Sequence, residues 1–145
     1  MKLISTVILL LLLSGCSSVQ LVSFSPSQDY SVSVGSSLFD TVRIDANDIS
    51  LFSKGKAIGF IRIEPVPKGS ESAEAFLNEL KLSSESASTN TTPLNLPSGF
   101  TGYAAKNRNY VTGYLFSETH SDSILIFSFP EGDFDEIVKT VSAGI

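Results

Sequence analysis

The sequence predicts an α+β domain, a mainly antiparallel sheet with two amphipathic helices in the order strands, helix, three-strand meander, helix. Three observations carry this. Tyr30, Val32 and Val34 alternate with Ser31 and Ser33, the period-two mark of a half-buried strand. At Ala73 the period changes: Ala73, Phe76, Leu77 and Leu80 fall at i, i+3, i+4 and i+7, one buried stripe of a helix. Residues 124–129 are apolar nearly throughout, as a strand covered on both faces must be.

The other elements follow in chain order. Apolar residues resume at Val19, Leu21, Val22 and Phe24, and Gly35-Ser36-Ser37 turns the chain after the first alternating strand. Residues 39–44 are β-rich, with Val42 and Ile44 on one face and Arg43 on the other, and Asn47-Asp48 breaks the pattern. A short strand at 49–52 leads into the turn Ser53-Lys54-Gly55-Lys56. Residues 57–63 read AIGFIRI, a strand that Pro65 and Pro67 terminate because proline cannot donate to the ladder. Ser70 or Ser72 caps the first helix, with Glu71 and Glu74 at its positive end and Lys81 toward its negative end. Residues 83–98, rich in Ser, Thr and Asn with two prolines, read as a loop or lid pinned by Leu94 and Leu96. The meander takes strands at 100–105, 110–118 and 124–129, with turns at 106–109 and 119–122. Asp133 with Glu136 resembles a capping box opening a last helix, whose stripe is Phe134, Ile137, Val138 and Val141.

Charge and cysteine content exclude whole classes of function. The formal net charge is −5, the acids are scattered, and no run of Lys or Arg exists. Nucleic-acid binding and a polybasic membrane patch both need concentrated positive charge, so neither is expected. Trp is absent and Phe outnumbers Tyr ten to four, which favours a packed apolar core over an aromatic carbohydrate platform.

Cys16 is the one cysteine, and it ends a short greasy N-terminus. Lys2 supplies a positive charge, residues 3–13 an 11-residue apolar run, and small residues precede Cys16. A spanning helix needs about 20 apolar residues, so this run is a signal segment, not a membrane span. Leu13-Ser14-Gly15-Cys16 resembles the lipobox of bacterial lipoproteins. That resemblance implies cleavage between Gly15 and Cys16, a thioether-linked diacylglycerol on the Cys16 sulfur and an N-acyl chain on its amine. Two acyl chains make a stable anchor at about 0.8 kcal/mol per buried methylene. Ser17, standing where aspartate retains such proteins at the inner membrane, implies the periplasmic leaflet of the outer membrane. The resulting organisation is a signal peptide at 1–15, a lipidated tether at 16–18, and one domain of residues 19–145.

Candidate sites outside the anchor are sparse. Glu118, His120 and Asp122 at i, i+2 and i+4 would share one face if a strand ran through them, a geometry for Zn²⁺ or an oriented general base. The default for a Ser-, Thr- and Asp-rich stretch is instead a polar hairpin turn, and that reading is favoured. Lys106 and Arg108 with Tyr103 and Tyr110 gather cations and phenols about one hairpin, a surface for a partner or an anionic group. The bland reading there is cross-strand aromatic pairing. No Gly-x-Ser-x-Gly elbow or phosphate-binding glycine loop occurs, so no catalytic residue and no further cofactor is expected.

A strand ending before prolines, the helix SAEAFLNEL, the hairpin SGFTGYAAKNRNYVTGYLFSE and the closing helix FDEIVKTV together resemble PsbP-like lipoprotein domains over residues 57–143. The resemblance implies a small α+β module that binds and stabilises membrane-associated assemblies without catalysis. The leading expectation is therefore a non-catalytic lipoprotein that binds an envelope protein. The alternatives are a small-ligand or lipid-binding module with a cavity between sheet and helices, and a hydrolase or metal site using His120. Replacing Cys16 with Ser is expected to block processing and release the protein from membranes in a fractionation assay. A Cys16→Ser protein still cleaved and still sedimenting with membranes would rule out lipidation.

Overall fold

Alternating hydrophobicity becomes sheet in the computed structural model, which describes residues 19–87 and 90–144. Cys16, the Gly15–Cys16 cleavage point, the signal segment 1–15 and the tether 16–18 lie outside the described residues. β1 (Leu21–Ser27) and β2 (Tyr30–Gly35) pair as an antiparallel hairpin. β3 (Thr41–Asp45), β4 (Asp48–Ser53), β5 (Lys56–Pro65), β6 (Asn90–Pro93), β7 (Phe100–Asn107), β8 (Tyr110–Ser117) and β9 (His120–Pro130) build a seven-stranded sheet. Its spatial order is β3-β4-β5-β9-β8-β7-β6, and every neighbouring pair is antiparallel. α1 (Ala73–Ser86) joins β5 to β6, and α2 (Glu131–Val138) follows β9. The domain is thus a mainly antiparallel sheet with two helices. Among the described residues no helix is long and apolar enough to cross a membrane.

The sheet lies between two unequal covers. Leu125, Phe127 and Phe129 of the central strand β9 face one way, into a core shared with Phe24, Val32 and Val34 of the hairpin and Phe134, Ile137 and Val138 of α2. Ile124 and Ile126 face the other way, toward Ala73 and Leu77 of α1. Gly113 of β8 makes room for this packing, because a Cβ there would stand 2.7 Å from the Phe127 ring. That ring stacks on Phe134 at 5.3 Å between centroids and carries α2 onto the sheet.

Polar latches bind the hairpin to the body. The Tyr30 hydroxyl, fully buried, donates to the Ser123 carbonyl at 2.8 Å and accepts from the Ser117 backbone N–H at 3.1 Å. Ser31 and Ser142 exchange backbone hydrogen bonds of 2.8 and 3.0 Å, and the Ser33 N–H donates to the Thr140 hydroxyl at 2.9 Å. These bonds fix the second edge of β2, which would otherwise be open.

Several local expectations are corrected. The stretch 83–98 is not one loop: α1 runs on through Ser86 and β6 forms at Asn90–Pro93. The helix tolerates the serines because Ser84 and Ser86 donate to the Leu80 and Ser83 carbonyls, at 2.9 and 2.8 Å. β6 forms because Thr91 and Thr92 find ladder partners in Ala105 and Ala104. Lys81 therefore sits inside α1 and not in its last turn, while Ser72 is the N-cap, its side chain accepting from the Ala75 N–H at 3.0 Å. Lys106 and Asn107 stay in β7, and His120 to Ser123 belong to β9, so both turns are shorter than expected. α2 starts at Glu131, whose N–H is taken by the Asn109 carbonyl at 2.9 Å, so Asp133 makes no cap and Glu136 pairs with Lys139 instead.

Tyr30→Phe keeps the ring and deletes the latch, leaving a buried N–H and a buried carbonyl without their partner. A loss of about 1–3 kcal/mol in denaturant unfolding is expected, with the circular dichroism spectrum unchanged. A variant as stable as the parent would show that the latch contributes nothing.

Candidate functional site

Three strands and a helix shape a wide depression of the described surface. Cross-strand register aligns Asn90, Lys106 and Val111 across β6, β7 and β8, and sets Thr92 beside Ala104. These side chains share the sheet face on which α2 lies, and α2 covers only part of it. The remainder is a groove of about 710 Å³ between the helix and the β6 edge. Ala104, Val111, Phe134 and Leu94 give it an apolar lining, and the segment after β6 forms one wall.

Its rim is charged but nearly balanced. Lys106 Nζ meets Glu131 Oε1 at 2.6 Å across the groove mouth, and Lys139 Nζ meets Glu136 Oε1 at 2.6 Å along α2. Lys139 is raised above the ordinary lysine value by its hydrogen bond to Glu136, so it stays charged throughout the physiological range. Both pairs are solvent-exposed and add little stability. Their effect is to cancel the rim's cations, leaving Asp135 as its remaining charged side chain.

The four residues expected to form one patch are divided by the strand's own period. Tyr103 and Lys106 are three apart on β7 and so point to opposite faces of the sheet. Lys106 enters the groove. Tyr103 is buried under α1 and stacks on Tyr114 at 4.9 Å, the cross-strand aromatic pair of the bland reading. Its hydroxyl is buried without a hydrogen-bond partner. Arg108 occupies the β7–β8 turn in a left-handed conformation, φ 55°, and Tyr110 opens β8 on the α1 side. Tyr103 is therefore removed from any contact surface, and the other three serve two different faces.

The Glu118, His120 and Asp122 stretch also separates. Glu118 lies in the turn, where its carboxylate accepts from the Thr101 hydroxyl at 3.0 Å. Asp122 is the third residue of β9, and its backbone carbonyl accepts from the Val66 N–H at 2.9 Å. The His120 ring instead sits 3.5 Å from Asp29 and 3.1 Å from the Thr119 hydroxyl. Both contacts converge on Nδ1, so carboxylate and hydroxyl compete for one nitrogen. A relay passing a proton through both ring nitrogens is not assembled here. Among the described residues no three His, Cys, Asp or Glu side chains come together as a metal site.

The groove was not legible beforehand, because its walls come from three segments distant in sequence. The one available signal was the pinning of Leu94 and Leu96 to the body, and both do pack against the core. No family model, no curated protein and no solved structure matches the chain.

Burial pushes the Tyr103 phenol up to about 12, and burial likewise raises Tyr30. A phenol held neutral by the fold contributes stability that is complete below its unfolded value of 10.0 and disappears as pH rises through about 12. Unfolding free energy is thus expected to fall across that alkaline window, and less steeply in Tyr103→Phe. Identical pH profiles for parent and variant would refute the assignment.

Proposed function

We propose that the chain is a lipid-anchored, non-catalytic envelope protein whose domain binds a partner protein along the groove beside α2. The observation that carries the reading is the groove itself, with an apolar floor, paired rim charges and one open side. Such a surface accepts an extended, weakly charged peptide segment, since it offers apolar contact without unpaired cations to neutralise.

The position of the chain's start supports a partner at the membrane. Cys16 precedes Val19 by three residues, a reach of about 10 Å when extended. Val19 and Leu21 line a cleft against Ile137 and Glu136 of α2, and Glu136 also lines the groove. A lipid on Cys16 would therefore hold the groove within about one helix width of the bilayer. The lipobox and the serine after it favour the periplasmic leaflet of the outer membrane, and the PsbP-like resemblance favours an accessory role in an assembly.

A small-ligand or lipid-binding role is the second reading, favoured by the groove's size, about 710 Å³, which lies within the range of small-molecule sites. A photo-crosslinking residue at Val111, in intact cells, separates the two. A single envelope-protein adduct is expected at Val111, absent with the probe at Thr41 and lost with Lys106→Glu, which sets two carboxylates together at the rim. A lipid adduct alone would establish the second reading, and no adduct would refute both.

A further inference from the structure

We propose that the opposite face of the sheet carries a second site, a shallow trough that binds an acidic polysaccharide strand. α1 packs on β6, β7, β8 and β9, over Tyr103, Phe116 and Ile124. The other end of this face, toward the β4–β5 and β7–β8 turns, holds depressions of about 250 and about 530 Å³. Both include Tyr110 and Ser128, so they adjoin as one shallow trough. Register sets Ser50 beside Phe60, Phe60 beside Ser128 and Ser128 beside Thr112, in a line across four strands.

The chemistry of that line selects its occupant. Ser50, Thr112 and Ser128 make a hydroxyl floor, with the Thr112 hydroxyl donating to Ser128 at 3.0 Å. The 40% exposed Tyr110 stands over it as an aromatic surface on which the C–H face of a sugar ring stacks, beside Phe60, whose ring is covered by Arg62. Arg108 lines one end of the trough. Among the described residues it makes no ion pair, so it is a cation left for an anion to meet.

Other occupants fit less well. A hydroxyl floor disfavours an acyl chain. Nucleic acid carries one charge per about 1.7 Å of duplex, more densely than one carboxylate per sugar ring, and the single arginine of the trough does not balance it. The trough lies on the face opposite β1, β2 and α2, so it is independent of the groove and the two readings fail separately.

The test uses the full chain in detergent micelles, an oligouronate as probe and its carboxyl-reduced counterpart as control, followed by titration calorimetry. Saturable binding is expected, weakened at least about tenfold by carboxyl reduction and by either Arg108→Glu or Tyr110→Ala, with melting temperatures unchanged. Both side chains are exposed, so neither substitution disturbs the core. Rising salt should weaken binding as the charge contact is screened. No saturable heat, equal affinity for the neutral sugar, undiminished binding in both variants, or tighter binding of a single-stranded oligonucleotide would overturn the proposal.

Discussion

A strand apolar on both faces can exist only where both faces are covered, and β9 imposes that condition on everything else. Leu125, Phe127 and Phe129 demand one cover, Ile124 and Ile126 another. The fold meets the first with a separate hairpin and a short helix, and the second with a longer helix. Neither cover extends over the whole seven-stranded sheet. The uncovered parts are the groove beside α2 and the trough beyond α1, so both candidate surfaces arise from one mismatch between a wide sheet and its narrower covers.

The two surfaces differ because charge pairing differs between them. In the groove each lysine faces a glutamate, and the floor of Ala104, Val111 and Phe134 decides what can bind. On the trough side Arg62 is paired with Asp48 and lies over Phe60, whereas Arg43 lies over Phe52 without an ion pair among the described residues. Such guanidinium–ring contacts hold cations flat against the sheet and keep them solvent-facing. A near-neutral apolar slot and a hydroxylated strip with Arg108 at its end, on one small domain, suit two kinds of occupant.

Local structure was readable wherever a pattern was local. The alternation at Tyr30–Gly35, the Lys54-Gly55 turn, the stripe Ala73, Phe76, Leu77, Leu80 and the central place of β9 all follow from residue spacing. The failures share one cause, that composition was read without its long-range partners. Serines at 83–86 suggest a loop until their hydroxyls find helix carbonyls, and Thr91 and Thr92 suggest a loop until β7 offers a ladder. The Asp133 cap failed because Asn109, a neighbour in space only, lets α2 begin earlier.

Candidate sites were harder to read for the same reason. Tyr103, Lys106, Arg108 and Tyr110 looked like one patch because eight residues of sequence contain them all. In a strand an odd separation sends side chains to opposite faces, and in a hairpin the register decides which residues become neighbours. Lys106 therefore finds Glu131 on α2, Tyr103 finds Tyr114 under α1, and Tyr110 finds Ser128 in the trough. A turn likewise divides the run Glu118, His120, Asp122, and Glu118 and His120 find separate partners in Thr101 and Asp29. Proximity in sequence is weak evidence for a site in a β-rich chain until parity and pairing are known.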